Sequence, residues 1–168
     1  MDAPKGFSDR VERWLARIPG VRTYRDREHR RETDKRLREH IAARLLEARS
    51  GLTRIILEMS KKSQLGPLAE LDRLSSRMQQ MADTIRYASY GYAGIFDVEK
   101  IREEELGRLY TFDLSLLDDV EMIQSKVTEL GAQNPPEKWS RAIEETFGLL
   151  DALEKKFRQR NDFMARPA

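Results

Sequence analysis

The feature that most constrains this chain is an unbroken apolar seam. Leu37, Ile41, Leu45, Ala48, Leu52, Ile55 and Met59 recur at intervals of 4, 4, 3, 4, 3 and 4 residues. Those intervals keep every member on one face of an α-helix and would scatter them over both faces of a strand. No proline lies between Pro19 and Pro67, so one helix is predicted over residues 24–62, about 58 Å long at 1.5 Å per residue. Thr23-x-x-Asp26 opens it in capping-box spacing, with an acid near the positive end of the helix dipole. Gly51 is a candidate bend. A seam of this kind finds partners only in other helices, and the rest of the chain supplies them.

Leu65-Gly66-Pro67 reads as a turn with proline at a first helical position. Leu68, Leu71, Leu74, Met78, Met81, Ile85 and Ala88 form the next seam, predicting a helix over 67–88 of about 33 Å. Asp97 is the expected N-cap of a third long helix, 98–130, about 50 Å long. Its seam runs from Leu109 through Phe112, Leu116, Val120, Ile123, Val127 and Leu130. Gly131 fits a C′ position, and Asn134-Pro135-Pro136-Glu137 fits the start of a last helix. That helix is lined by Trp139, Ile143, Phe147, Leu150, Leu153 and Phe157. Near the start, Val11, Trp14, Leu15 and Ile18 make a short amphipathic face ended by Pro19-Gly20. The expected organisation is an N-terminal amphipathic helix and linker, 1–22, followed by a single helical bundle, 23–168. The expected fold is all-α: an elongated, antiparallel, coiled-coil-like bundle of three to four long helices.

Helix lengths focus attention on Tyr87-Ala88-Ser89-Tyr90-Gly91-Tyr92-Ala93-Gly94-Ile95-Phe96-Asp97. With the turns at 63–66 and 131–134 at one end, the second long helix falls about 17 Å short of its neighbours at the other. Residues 89–97 are long enough to bridge that gap. The reading is that this stretch fills the missing corner with aromatic side chains, its glycines allowing close approach. The same geometry sets Arg25 to Arg38 beside Glu99, Glu103, Glu104 and Glu105. Asp26–Arg30, Glu32–Arg36 and Asp34–Arg38 are expected as local i,i+4 pairs, each worth about 0.2–0.5 kcal/mol.

Charge supports that pairing. The net formal charge of +2 conceals 17 basic against 10 acidic residues over 1–62, 7 against 13 over 63–130, and 7 against 6 over 131–168. Such asymmetry means either internal pairing or a basic face for an anionic partner. Arg22, Arg25, Arg27, Arg30, Arg31, Lys35, Arg36 and Arg38 form a basic arm with tyrosines in reach for stacking. Five interleaved acids leave only +3 over 22–39, a diluted field for a phosphate binder.

Several chemistries lack their residues. There is no cysteine, hence no disulfide and no thiolate metal site. The two histidines, His29 and His40, are about 16 Å apart along a helix and cannot share an ion. Asp26-x-x-His29 matches half of a carboxylate-bridged di-iron motif, and the second half is missing. Gly91-Tyr92-Ala93-Gly94 lacks the Lys-Ser/Thr of a phosphate loop. No nucleophile stands near a base, and Glu103-Glu104-Glu105 reads as a salt-bridged face rather than an acid–base pair. No apolar run reaches 18 residues, so no transmembrane segment is expected. The first residues lack a signal-peptide pattern, and the cytoplasm is the expected location.

Ile18-Pro19-Gly20, Tyr24, Arg30-Arg31 and Asp34, with Ser89-Tyr90-Gly91-Tyr92-Ala93-Gly94 and Phe96-Asp97, resemble a pattern in uncharacterised bacterial all-helical proteins. The resemblance implies a helical fold and assigns no activity, ligand or catalytic residue. The functional expectation is a non-enzymatic scaffold or adaptor that binds another protein, with no cofactor and no metal; a homo-oligomer is compatible with it. Candidate binding residues are Arg25, Arg30, Arg31, Tyr90, Tyr92, Phe96 and Asp97. The alternative is an anionic surface, membrane lipid or nucleic acid, bound through the basic segment 10–38.

Overall fold

The structure is a computed structural model that describes residues 9, 15, 16, 18, 20, 24–89, 94–132 and 139–165. Among these there is no strand. Five helices follow a 3-10 turn at Arg27–His29: α1, Arg30–Lys61; α2, Leu68–Arg86; the short α3, Gly94–Asp97; α4, Glu103–Ala132; and α5, Trp139–Met164.

The periodic apolar residues become the core. Leu37, Ile41, Leu45, Ala48, Leu52 and Met59 of α1 are buried together with Leu71, Leu74, Met78, Met81 and Ile85 of α2. From α4 come Leu106, Leu109, Leu116, Val120, Ile123, Val127 and Leu130; from α5, Trp139, Ile143, Leu150, Leu153 and Phe157. Helix α1 packs on α2 and α4, and α5 packs on α4 and α2. Every long helix therefore has two neighbours, which is what a wide apolar stripe requires. No described helix is long and apolar enough to cross a membrane. Leu15 and Ile18 are buried in the same core, while Val11 and Trp14 lie outside the described residues.

Several helix boundaries differ from the sequence expectation. Asp26 caps a 3-10 turn, accepting from the Glu28 N–H, and α1 starts at Arg30. Asp97 ends α3 instead of capping the third long helix, which starts at Glu103. The Arg30 guanidinium binds the carbonyls of Val98 and Glu99, where a continuous helix would need them for itself. The true start is Arg102, whose N–H donates to the Glu105 carboxylate at 3.1 Å, half of a capping box. Gly131 lies inside α4 rather than at C′, with its Cα facing Ile55. Pro67 is an N-cap rather than a first helical residue. At the end of α1, Ser63 has φ 56. Gln64 N–H bonds Met59 O and Ser63 N–H bonds Ser60 O, a Schellman ending with serine at the left-handed position.

Phe112 was the expected core member of α4, but Asp113 is buried and Phe112 is half-buried. The strict sequence of 3 and 4 residue steps, 106, 109, 113, 116, 120, selects position 113. Phe147 is likewise half-buried, beside buried Thr146, and carries the Arg73 guanidinium over its ring at 5.9 Å.

Candidate functional site

At the end where α2 stops, the seam continues in charged residues. Asp34 on α1, Asp113 on α4 and Arg160 on α5 occupy core positions, with exposures of 1%, 0% and 0%. Arg160 stands between the two acids. Its Nε donates to Asp113 Oδ1 at 2.5 Å, and its Nη1 lies 2.6 Å from Asp34 Oδ1. Nη1 also reaches Met164 Sδ at 3.3 Å, and Nη2 donates to the Tyr24 hydroxyl at 3.0 Å. All three guanidinium nitrogens are engaged, the condition for keeping such a group in the core. Arg38 completes the cluster: Nε donates to Asp34 Oδ2 at 2.9 Å, and Nη1 to the carbonyls of Ile85 and Arg86. Those are end carbonyls of α2, which no further helical turn satisfies.

Burial pushes the Asp34 carboxyl up, but Arg160 and Arg38 more than offset it and hold it below the usual range. For Asp113 burial prevails over Arg160, and the carboxyl sits above the usual range. Burial also opposes the charge of Arg160, yet Asp113 and Asp34 keep its pKa well above normal. Tyr24 is pushed well up, by burial first and by Asp113 next, so it is a neutral phenol.

Tyr24 is fully buried. Its ring stacks on Phe96 at 6.0 Å between centroids and tilts against Tyr110 at 5.7 Å. Arg30, also buried, clamps this end: Nε donates to Tyr24 O at 2.7 Å and Nη1 to Val98 O at 2.6 Å. One guanidinium thus ties the segment before α1 to the segment before α4.

The sequence candidates are distributed as follows. Arg30 and Phe96 are buried in this end. Arg25 is exposed and pairs with Glu103 at 3.3 Å; Arg31 is exposed and pairs with Asp97 at 2.8 Å. Tyr90 and Tyr92 lie outside the described residues. Of the expected local pairs, Glu32–Arg36 and Asp34–Arg38 form. Asp26 instead bonds His29 Nδ1 at 2.6 Å, since Arg30 is committed to carbonyls. Sequence reasoning missed Tyr24, Asp113 and Arg160; the available signal was a charged residue in strict register with an apolar seam.

Among the described residues no group of three or more His, Asp or Glu could hold a metal ion. A cleft between α4 and α5, of about 530 Å³, is lined by Arg108, Thr111, Phe112, Gln159, Asp162 and Phe163. Two of these lining residues, Phe112 and Phe163, have their rings 5.8 Å apart between centroids. The chain matches no protein-family model, no curated protein and no solved structure.

Proposed function

We propose that this protein is a non-enzymatic helical scaffold that binds another protein through its outer helix faces. The observation that carries the reading is a separation of chemistry. Asp34, Asp113 and Arg160 are sealed and matched to one another, whereas the cleft on the outside offers two phenylalanine rings with Arg108 and Asp162 beside them. Apolar rings with charges around them are the composition of a protein-docking surface. The scaffold itself is an elongated bundle whose connected helices run antiparallel. Arg38 near the start of α1 meets the end of α2, and Lys126 late in α4 pairs with Glu145 early in α5.

The anionic-surface alternative has less support. Within the described part of segment 10–38, Arg25, Arg31, Arg36 and Arg38 are in ion pairs, and Arg30 is buried on carbonyls. The two readings separate by salt. Retention of a protein partner at high salt, lost when Asp162→Arg and Phe163→Gln are introduced into a chain that still melts cooperatively, is the expected result. Binding that collapses with salt and ignores those substitutions would favour the anionic surface.

A further inference from the structure

The surroundings of Tyr24 amount to a recognition site. Its ring is held between Phe96, stacked with 14° between the planes, and Tyr110, tilted by 44°. Its oxygen accepts from Arg160 Nη2. Asp113 holds that guanidinium through Oδ1, and its Oδ2 is buried with no hydrogen-bond partner among the described residues. Filling space would require only the walls. Here a buried guanidinium, itself held by Asp113 and Asp34, donates to the hydroxyl oxygen, which is how a site selects an OH over its hydrocarbon analogue.

The attachment of Tyr24 is separable from the slot. Its backbone carbonyl is held independently by Arg30 Nε. Arg30 and the slot residues Phe96, Tyr110, Asp113 and Arg160 all belong to residues that follow Tyr24 in the chain, on α1, α3, α4 and α5. We propose that the end of the helix bundle is a phenol-binding slot and that Tyr24 is its tethered occupant, closing the site against a free small phenol. This inference goes beyond the scaffold reading and does not depend on it.

The test is chemical replacement of the severed side chain. Tyr24→Ala keeps the carbonyl that Arg30 binds and removes a phenol. Added phenol should raise the Tm of this variant by about 3–6 °C at ten times its Kd. Benzene, the same shape without the hydroxyl, should do so at least tenfold more weakly by concentration. The unsubstituted protein, with its slot filled, should show no shift with either. Equal response to phenol and benzene would overturn the proposal, because the slot would then be a plain apolar cavity. A shift of equal size in the unsubstituted protein would overturn it too, since phenol would be binding elsewhere. If Tyr24→Ala does not fold alone, the readout is recovery of helicity. Recovery with phenol and not with benzene supports the slot, and recovery with neither overturns it.

Discussion

Arg160 takes the place of a leucine. It sits between Phe157 and Met164 on the buried stripe of α5, and it is tolerable there because Asp113, Asp34 and Tyr24 meet every nitrogen. Its replacement by methionine would strand Asp113, a buried acid without its counter-ion, at a cost of about 3–5 kcal/mol. Replacing Asp113 by leucine in the same chain removes the stranded charge, so the double variant should recover much of that loss. Urea melts of both single variants and the double read this as a coupling of about 0.5–3 kcal/mol; strict additivity would mean that the two side chains do not meet. Asp34 gives a pH test. Its folded pKa lies below the unfolded value, so its stabilisation is present above the unfolded pKa of about 3.9 and is lost as pH falls through the folded value. The stability gap between the natural protein and Asp34→Asn should therefore be wide at pH 7 and shrink in strong acid. A gap that grew on acidification would contradict the pairing.

Helix identity was legible wherever 3 and 4 residue steps ran through Leu, Ile, Val and Met, as in Leu37 to Met59. Where charged residues held the same steps, at Arg30, Asp34, Asp113 and Arg160, polarity pointed outward and the reading failed. Composition cannot distinguish a solvated arginine from one whose partners arrive from a helix 47 residues away, as Asp113 does for Arg160. Boundaries failed for a related reason: Asp97 has the chemistry of a cap, but Arg30 claims the next carbonyls from a distant segment. At the element scale the helices retain room for improvement. Gly148 lies inside α5 with no atom within 4 Å of an added Cβ. Gly148→Ala should therefore raise stability by about 0.8–1 kcal/mol in chemical denaturation. Ser63, at its left-handed angle, should tolerate Ser63→Gly with unchanged or higher Tm, because glycine carries no penalty there. A clear loss in either variant would mean that the local backbone differs.

At the scale of the molecule, helix length sets the pattern. Helix α2 has 19 residues against 32 in α1 and 30 in α4, so about 15 Å or more at one end is left without its fourth wall. The length mismatch was readable from the sequence; of the aromatic stretch expected to fill it, Phe96 is buried, Tyr87 is exposed, and Tyr90 and Tyr92 lie outside the described residues. What fills the interior at that height was not readable, because the ionic cluster draws on α1, α4, α5 and Tyr24, residues up to 136 apart in the chain. Arg160 is a sealed cation, bonded at every nitrogen, that joins those four parts. Solution NMR of protein with isotopically labelled arginine measures that sealing directly. One guanidinium Nε–H, absent from Arg160→Lys, should exchange slowly with water and show cross-relaxation to the Tyr24 ring. Fast exchange at the Arg160 Nε–H, matching that of the exposed arginines, would contradict it.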